Sequence, residues 1–476
     1  MDTPLTLVTE NLHEVQVDGR RMLFHIPTTS LFELDGLAAR VIDRFRLRPT
    51  QTAVELARDL DCPSAEVEET MAEMVSLEIL SDSGRARVRP QPRIDAFPLT
   101  TLVLNVNTGC NLSCSYCYKE DLDTPSAGKK MAFDTAARSI AMLYEESPDQ
   151  SRYNLVFFGG EPLSNMPLIR QVTAFAEGFF AERGKQVDFT LTTNGTLLTE
   201  DLVDWFNQHR FGLTISMDGP QRIHDLRRKT VGGLGTYKVV ADKARMLLSR
   251  YRARPVGARV TLTAGVTEVE AIWEHLFNEL GFHEVGFSPV TAGDIDLFNL
   301  SGDDLEKVFS GMKRLGSRYV EAALKGENIG FSNMHQLMTD LHEGSAKSLP
   351  CGAGVAMLAV DKSGGLNLCH RFTGSDLPLF GTVEQGIDRQ ALSRFIEKRL
   401  DRSGTGCASC RIRNLCSGGC YHESYARYGD PSHPTYHYCD LMRDWVDFGI
   451  EAYGRIRAGN PGFFAQHIVP RKGNSQ

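Results

Sequence analysis

The chain has 476 residues, of which 42% are hydrophobic and 24% charged, and a formal net charge of −8 at pH 7. A single core seldom grows past about 250 to 300 residues, so this globular composition and length predict two to four domains. The acidic balance argues against an extended nucleic-acid surface, which needs basic residues to neutralise phosphates. No leading segment resembles a secretory signal, and no apolar run is long enough for a membrane span. Eleven cysteines in such a chain indicate metal or redox chemistry in a reducing compartment, and we expect a cytoplasmic protein.

Residues 1–88 are predicted to form a small N-terminal domain. The dipeptide Asp18-Gly19 separates two strand-like segments and favours the positive φ angles of a tight hairpin turn. Three helical patterns follow the hairpin, and Ser64 is a suitable N-cap for the third. The patterns span residues 34–45, 52–60 and 64–77. A hairpin with three short helices resembles a winged helix.

A winged helix usually binds DNA, but the third helix of this domain is acidic. Its glutamates are Glu66, Glu68, Glu69 and Glu73. These side chains would repel phosphate, so a DNA-binding role is disfavoured. The arrangement also resembles the peptide-recognition element of peptide-modifying enzymes, and this resemblance implies that a peptide adds a strand beside the hairpin; a purely structural cap is the alternative. The stretch 89–98, rich in proline and arginine, is interpreted as a linker.

From residue 99 to 295, short apolar strands alternate with helical stretches. Such alternation predicts a parallel sheet with right-handed crossovers. The strand candidates span residues 101–106, 153–158, 188–192, 212–217, 258–263 and 284–289. Sites in parallel barrels lie at the carboxyl ends of the strands, where the loops meet. We therefore expect functional residues directly after these segments.

Three cysteines follow the first strand, at spacings of three and two intervening residues: Cys110, Cys114 and Cys117. Cysteine thiolates bind iron–sulfur clusters, and three of them on a four-iron cluster leave one iron for another ligand. Reduced core cysteines are the structural alternative, but three within eight residues after an apolar strand do not fit it. Zinc is a second alternative, yet the next hundred residues contain no further Cys or His except His209.

The spacing Cys-x3-Cys-x2-Cys, with Tyr116 before the last cysteine, resembles the signature of radical S-adenosylmethionine (radical SAM) enzymes. The resemblance implies an α/β fold class, with a partial (β/α)6 TIM barrel as the core. It also implies a [4Fe-4S] cluster whose free iron binds S-adenosylmethionine. One electron from the cluster then cleaves this cofactor to a 5′-deoxyadenosyl radical. A donor such as flavodoxin or ferredoxin would supply the electron.

The loops after the second and third strands carry further matches to this family. In the family, the motif at Gly159, Gly160 and Glu161 holds the methionine amino group, because glycines let the backbone approach closely. Glu161 is suited to be a charge partner of that ammonium group. A simple strand-ending turn is the alternative interpretation. Asn194 follows the third strand, and the resemblance implies a contact with the ribose or carboxylate.

The fourth strand and the segment after it complete the set of cofactor residues. Ser216 closes the strand and is expected to contact the ribose or carboxylate of S-adenosylmethionine. Arg227 resembles an arginine that pairs with the methionine carboxylate. Tyr116 is expected to lie against the adenine. No catalytic base is assigned from the sequence.

Residues 296–350 are predicted to form a mainly helical bridge, and a dense group of cysteines follows. They are Cys351, Cys369, Cys407, Cys410, Cys416, Cys420 and Cys439. This order resembles the SPASM extension of peptide-modifying radical enzymes, which carries two auxiliary [4Fe-4S] clusters. We therefore expect three clusters in all, an auxiliary-cluster domain over 351–440 and a C-terminal extension over 441–476.

The resemblance also divides these cysteines between the clusters. The outer cluster would be held by Cys407, Cys410, Cys416 and Cys439, and the inner cluster by Cys351, Cys369 and Cys420. The inner cluster would lack one protein ligand, because residues 352–357 contain no cysteine. Water, another side chain or a substrate thiolate remain open as the missing ligand, and a metal-bound thiolate is deprotonated.

Peptide modification is the function that the resemblance implies, and the N-terminal domain would act as a recognition element for the leader segment of a ribosomally made substrate. The first hypothesis is thioether formation, in which a Cys sulfur joins a side-chain carbon. Maturases of this kind tie Cys to Asp or Glu methylene carbons in the small subunit of quinohemoprotein amine dehydrogenase, and we expect that subunit as partner.

Two alternatives stay in view. Sulfatase-type maturases oxidise Ser or Cys to formylglycine, and there an acidic residue that follows an inner-cluster cysteine acts as base. In this sequence His370 follows Cys369, which disfavours that reaction. A non-catalytic iron–sulfur electron carrier or scaffold is the alternative from another class. An electron-carrier role does not explain why the motif at residues 159–162 follows the end of a strand.

Overall fold

The computed structural model describes most of the chain. The described ranges are residues 3–87, 97–118, 128–292, 297–435 and 437–469. The predicted linker at 89–98 lies mostly outside them. Within these ranges, no helix is both long and apolar enough to cross a lipid bilayer.

The N-terminal region is built from short antiparallel strands and short helices. Its strands are β1 (Leu5–Leu7), β2 (Leu12–Val17), β3 (Arg20–His25), β4 (Ser30–Glu33), β5 (Thr50–Gln51) and β6 (Leu80–Ser81). Its helices are α1 (Gly36–Leu47), α2 (Ala53–Leu60) and α3 (Ser64–Ser76). One sheet has the order β5-β1-β6 and another the order β2-β3-β4.

The predicted hairpin is confirmed. Strands β2 and β3 pair antiparallel, and Asp18 and Gly19 form the turn between them at φ angles of 48° and 77°. These left-handed angles are those of a tight Asp-Gly hairpin turn. The sequence did not predict β4, which extends the sheet beside β3.

The N-cap prediction for Ser64 is wrong. Ser64 is the first helical residue of α3, and Pro63 precedes it without a side-chain hydrogen bond to the helix. The fixed φ of proline suits this extended position, so the helix begins one residue early. A capping box forms on α2 instead, where Thr52 and Glu55 exchange side-chain to backbone hydrogen bonds.

The six predicted strands of the central region are confirmed as neighbours in one parallel sheet. They are β7 (Thr101–Asn107), β8 (Arg152–Gly159), β9 (Gln186–Thr193), β10 (Gly212–Ser216), β11 (Val256–Leu262) and β12 (Glu284–Pro289). They follow the order β12-β11-β10-β9-β8-β7. Leu102, Leu104 and Val106 of β7 are completely buried, as expected for a strand covered by crossover helices.

A strand from the cysteine-rich region extends this sheet, which the sequence did not predict. Strand β13 (Met357–Val360) pairs in parallel with the free edge of β7. Strand β14 (Leu366–Asn367) then pairs antiparallel with β13 and ends just before Cys369. A small hairpin of β15 (Gly381–Thr382) and β16 (Gly386–Ile387) follows. Backbone pairing therefore joins the barrel to the cysteine-rich region.

Helices connect these strands and continue after them. The crossover helices are α4 (Phe133–Glu146), α5 (Met166–Ala181), α6 (Glu200–Gln208), α7 (Gln221–Arg227), α8 (Tyr237–Arg250) and α9 (Val269–Trp273), which continues as a π-helical stretch, Glu274–Glu279. The later helices are α10 (Gly302–Leu324), α11 (Ser332–His342), α12 (Arg389–Leu400), α13 (Arg413–Cys416), α14 (Tyr421–Tyr428), α15 (Cys439–Gly459) and α16 (Gly462–His467). The predicted helical character of 296–350 is confirmed by α10 and α11.

The sheet β2-β3-β4 contributes to two hydrophobic clusters. Leu23 belongs to a cluster with buried residues of α1, α2 and α3. Val17 and Phe24 belong to the main core, which also contains the barrel. On that side α15 packs against β2, and Gly454 faces Val17 closely enough that an added Cβ would lie 3.1 Å from it. The N-terminal sheet is thereby fixed to the helix that begins at Cys439.

Candidate active site

A cavity of about 480 Å³ lies at the carboxyl ends of the parallel strands, where the sequence predicts functional residues. Its wall includes the predicted residues Cys110, Cys114, Tyr116, Cys117, Gly159, Gly160, Glu161, Asn194 and Ser216. It also includes Tyr118, Phe158, Arg228, Arg259, Ser288, Thr291, His370 and Arg371. The predicted cofactor residues therefore converge, with the exception of Arg227.

The three cysteines of the first motif share this wall as desolvated thiols. Burial, and then nearby groups including Glu161, raises the pKa of the Cys110 thiol to about 12. Burial also raises the pKa of the Cys114 thiol to about 11. Thiols with such pKa values stay protonated at neutral pH unless a bound metal displaces the proton.

This donor set fits an iron–sulfur cluster better than a single metal ion. Among the described residues, no three Cys, His, Asp or Glu side chains converge tightly enough to hold one ion. A zinc ion needs four ligands at about 2.0 to 2.3 Å, whereas a four-iron cluster holds its thiolate ligands around a larger body. Cys110, Cys114 and Cys117 beside an open cavity fit such a cluster together with a small-molecule ligand.

Gly159 and Gly160 bring the end of β8 against the loop that follows β7. A Cβ atom at Gly159 would lie 2.2 Å from the carbonyl oxygen of Asn107, and one at Gly160 would lie 2.1 Å from that of Gly109. Gly159 also has a φ angle of 148°. Glycines are required here because any side chain would push the two loops apart.

The Glu161 carboxylate holds two strand ends together. It is completely buried and accepts hydrogen bonds from the Leu163 amide at 3.0 Å, the Thr193 hydroxyl at 2.7 Å and the Asn194 amide at 2.8 Å. Burial raises its pKa, and the three donors oppose that shift. The sequence predicted a charge partner for an ammonium group. The structure gives the carboxylate a second task, which is to join the ends of β8 and β9.

Asn194 faces the first cysteine motif. Its side-chain Nδ2 donates to the Asn111 Oδ1 at 3.0 Å and lies 3.7 Å from the Cys110 Sγ. Its Oδ1 accepts hydrogen bonds from Thr196. Ser216 lines the cavity at the end of β10. Both residues lie at the ends of their strands, and their contacts with S-adenosylmethionine stay a prediction.

The basic side chain at the end of α7 that reaches the cavity is Arg228 rather than Arg227. The Arg227 guanidinium donates to the Leu297 carbonyl at 3.0 Å and packs over the ring of Phe298, outside the cavity wall. Arg227 is the last residue of α7 and Arg228 its C-cap, so the two side chains leave the helix in different directions. The sequence pattern alone did not distinguish these neighbours.

Asp218 holds Arg228 and Tyr116 in place. Its carboxylate accepts from the Arg228 Nε at 2.8 Å and Nη2 at 3.1 Å, and from the Tyr116 hydroxyl at 2.8 Å. The Thr261 amide donates to it as well. Burial raises the pKa of the Tyr116 phenol, so it stays protonated and donates. Tyr116 thus has a fixed orientation on the cavity wall.

The predicted inner-cluster cysteines lie together beside the cavity. The pKa of the Cys369 thiol is raised to about 12, first by burial and then by the proximity of Cys420 and Cys351. Tyr118 links this set to the first motif, because the pKa of its phenol is raised by burial and then by Cys117, Cys369 and Cys420. The two cysteine sets therefore approach the same cavity from different sides.

The predicted outer-cluster cysteines line a second cavity of about 310 Å³. They are Cys407, Cys410, Cys416 and Cys439. Cys416 ends α13 and Cys439 begins α15, so helix termini fix two of these thiols. The grouping agrees with the division made from the sequence. Binding of a cluster at either auxiliary set stays a prediction.

Sequence reasoning missed Arg228, Arg259 and Arg371, although each left a signal. Arg259 is the one charged residue of strand β11, and Arg371 follows Cys369 by two residues. A charged residue within a buried parallel strand indicates a functional surface, because an unpaired charge is costly in a core.

The chain matches one family model and several known proteins. Residues 104–277 match the model described as the Radical SAM superfamily. A cysteine-type anaerobic sulfatase-maturating enzyme of Clostridium perfringens (strain 13 / Type A) is 24% identical over 369 residues, which cover 74% of this chain and 96% of that protein. A serine-type anaerobic sulfatase-maturating enzyme of Klebsiella aerogenes is 24% identical over 336 residues, covering 68% and 80%.

Solved structures confirm the predicted fold class. The structure of anSMEcpe with bound AdoMet and Cp18Cys peptide superposes with a TM-score of 0.64 at 22% identity, covering 76% of this chain and 99% of that one. Streptococcus suis SuiB superposes with a TM-score of 0.50 at 14% identity, covering 91% and 99%. Likeness at these identities establishes the architecture, an α/β protein with a parallel barrel core, and nothing about substrates.

Proposed function

We propose that this chain, a radical SAM enzyme by its core at residues 104–277, is a peptide maturase that forms thioether crosslinks within a ribosomally made substrate. The observation that carries the proposal is the shared cavity. The first cysteine motif lines it, and so do His370 and Arg371 directly after Cys369. A substrate side chain bound in this cavity would lie close to both cysteine sets.

The chain's own residues prepare this space for two cofactors. Cys110, Cys114 and Cys117 would hold a four-iron cluster, and the cluster with S-adenosylmethionine would supply a radical able to abstract a hydrogen atom from an unactivated carbon. Gly159 and Gly160 keep the loops close, and the buried Glu161 carboxylate fixes the strand ends around the cofactor.

The inner cysteine set is suited to hold a substrate thiol. Cys351 and Cys420 are exposed, whereas Cys369 is buried. Three protein thiols on a four-iron cluster leave one position for an external ligand. A substrate cysteine at that position would be deprotonated and held beside the carbon that it joins. Two auxiliary clusters, and hence three in all, are part of this proposal.

The N-terminal sheet is the proposed docking site for the leader segment. The strand order β2-β3-β4 leaves β2 and β4 as edge strands, and an extended peptide pairs with such an edge through its backbone. The sheet is fixed to α15, whose first residue is Cys439, so a bound leader has a defined position relative to the cysteine-rich region. The small subunit of quinohemoprotein amine dehydrogenase is the proposed substrate, by overall likeness of layout.

Formylglycine formation is the second candidate, because the curated relatives named above are sulfatase-maturating enzymes. That reaction needs a base near the oxidised carbon. Among the described residues that line the cavity, the one carboxylate is that of Glu161, and it accepts hydrogen bonds from three protein donors. His370 packs its ring 4.3 Å from that of Phe158 and offers an imidazole where that group of enzymes has an acid. The cavity therefore favours thioether formation.

Mass spectrometry after anaerobic incubation separates these functions. Reconstituted protein receives S-adenosylmethionine, a reductant and either the small-subunit precursor or a sulfatase peptide with its target Cys. Thioether formation removes two hydrogen atoms per crosslink and makes the cysteine resistant to alkylation. Formylglycine formation yields an aldehyde that reacts with a hydrazine probe. An electron carrier would release neither methionine nor 5′-deoxyadenosine.

A further inference from the structure

We propose that Arg259 and Arg371 form a carboxylate clamp, which selects an Asp or Glu side chain of the peptide as the residue to be modified. The proposal rests on the proposed function, because it names the substrate group that this cavity accepts. It assigns a specificity role to two residues that belong to different parts of the chain. Arg259 lies on barrel strand β11, and Arg371 lies in the loop after β14.

Arg259 and Arg371 both line the cavity, and Arg371 also contacts an aromatic side chain. The Arg371 guanidinium lies over the Tyr118 ring, 4.8 Å from its centroid. The pKa of Arg259 is lowered, first by desolvation and then by the positive charge of Arg371, so the two charges are close together. The side chain of Arg259 lies on the cavity wall and is exposed to the solvent inside the cavity.

Neutral groups hold both arginines in place. The Arg259 Nη2 donates to the Ser288 hydroxyl at 2.5 Å, and the Arg371 Nη1 donates to the Thr291 hydroxyl. Both hydroxyls lie at the end of β12, so one strand end orients both side chains. A guanidinium has five N–H donors in a planar fork, and most remain available for a ligand.

No carboxylate in the described part of the chain forms an ion pair with Arg259 or Arg371. Arg228 on the same wall differs, because Asp218 neutralises it at 2.8 Å. Glu423 lies near enough to sense the charge of Arg371, but it pairs with Arg427 at 3.3 Å.

Two like charges in one cavity repel each other when no described carboxylate neutralises them, and an anionic ligand removes that cost. Glu161 does not serve as the counter-ion, since three donors hold its carboxylate. A planar carboxylate matches the fork of a guanidinium with two parallel hydrogen bonds. The clamp therefore takes a carboxylate rather than an amide of the same shape.

Two carboxylates enter this cavity in a working enzyme: that of the methionine part of the cofactor and that of the peptide side chain. The clamp extends to the side of the inner cysteines, because Arg371 follows the buried Cys369 by two residues. Arg259 pairs in register with Ser216 of β10, a predicted cofactor residue, so it is Arg371 that places the clamp towards the inner cysteines. We assign the peptide carboxylate to the clamp on that ground.

Anaerobic titration calorimetry with two short probes tests the clamp without any crosslinking. The probes are the acetylated, amidated tripeptides Gly-Glu-Gly and Gly-Gln-Gly, added to reconstituted protein that is saturated with S-adenosylmethionine. We expect the Glu probe to bind about tenfold more tightly than the Gln probe. In Arg259→Gln and Arg371→Gln this preference should fall to within about twofold.

A matched control is Arg245→Gln, because Arg245 lies on the surface and pairs with Asp242 at 3.3 Å. It should keep the full preference for Glu. Iron content and the dissociation constant of S-adenosylmethionine, measured on every variant, report on the fold and on the cofactor site. Arg259→Lys and Arg371→Lys retain the charge and should recover part of the preference if folding is intact.

The clamp is overturned if the wild type does not distinguish the probes. It is also overturned if the glutamine variants keep the preference while S-adenosylmethionine binding weakens tenfold or more, which would assign the arginines to the cofactor carboxylate. Failure of the proposed function looks different: no substrate is crosslinked, yet the preference for the Glu probe persists and disappears in the two variants.

Discussion

The guanidinium of Arg228 pairs with the carboxylate of Asp218 at 2.8 Å, and both side chains are almost completely buried, at 8% and 4% exposure. The pair occupies the wall of the cavity and also holds the Tyr116 hydroxyl. Among the residues that the structure describes, the neighbouring Arg227 has no such ion-pair partner, and it lies against Phe298. Adjacent arginines in one sequence therefore have different energetic roles.

Removal of Arg228 should destabilise the protein strongly. Arg228→Ala leaves the Asp218 charge buried without its partner, which costs about 3 to 5 kcal/mol. Arg227→Ala serves as the control and should cost only about 1 kcal/mol, because its contacts among the described residues are the Leu297 carbonyl and the Phe298 ring. Denaturant unfolding of both variants measures the difference. Equal losses of stability would contradict the assignment of the buried ion pair to Arg228.

A methyl group at Gly159 should separate the loops at the ends of β7 and β8. Gly159→Ala places a Cβ 2.2 Å from the Asn107 carbonyl oxygen, so we expect a loss of about 1 to 3 kcal/mol and weaker binding of S-adenosylmethionine. Gly178→Ala is the matched control, since Gly178 lies within α5 and an added Cβ meets open space. That change should stabilise the chain by about 0.5 to 1 kcal/mol.

Unfolding and calorimetric titration of these two glycine variants provide the measurements. A Gly159→Ala protein that binds the cofactor as tightly as the wild type would show that the close approach of the loops is dispensable.

Stability should decrease as the pH falls from about 6.5 to about 4, in part because of His224. This residue is completely buried, and desolvation, followed by the charge of Arg228, lowers its pKa to about 4. Between the two pKa values the unfolded chain binds the extra proton and the folded chain does not, so acid favours unfolding. The titration of His224 changes the free energy of unfolding by roughly 3 kcal/mol in total. This stability is present above pH 6.5 and is lost as the pH falls towards 4.

The variant His224→Gln tests this origin of the pH dependence. Denaturant unfolding at several pH values should give a shallower slope between pH 4 and 6.5 than in the wild type. The variant should also be less stable at pH 7, because it loses hydrogen bonds that involve Thr236 and the Asp218 amide. An unchanged slope would exclude His224 as a main contributor.

Substitution of an outer cysteine should remove one cluster and leave the others. Three clusters of four irons correspond to about 12 iron atoms per chain, and Cys407→Ala should retain about 8. Cys62→Ala is the control and should retain them all, because Cys62 packs against the N-terminal hydrophobic cluster, with α1, α2 and α3. Iron analysis and electron paramagnetic resonance of the reduced proteins provide the count. A wild-type protein with about 4 irons would contradict the prediction of auxiliary clusters.

The sequence predicted those features that depend on local pattern. Apolar strands alternating with helices indicated the parallel sheet, and the Asp18-Gly19 turn indicated the hairpin, because both follow from nearby residues. The loops carrying Cys110 and Glu161 were placed correctly, since parallel strands end at one edge of a sheet.

Features that depend on distant or directional contacts were not predicted. The choice between Arg227 and Arg228 depends on the direction in which each side chain leaves the end of α7. Pairing of β13 with β7 joins segments far apart in the chain, and no local signal encodes it. The engagement of Glu161 with Thr193 and Asn194 is likewise a contact between separate loops.

The pairing of β13 with β7 has a consequence for how the chain folds during synthesis. The Thr100 hydroxyl donates a hydrogen bond to the Ala356 carbonyl, and these residues, 256 positions apart in the sequence, immediately precede the two paired strands. The edge of β7 therefore stays open on the ribosome until the cysteine-rich region emerges. Such an edge is a template for aggregation, and closing it over so long a loop is slow. Completion of the barrel sheet is thus coupled to synthesis of about the last quarter of the chain.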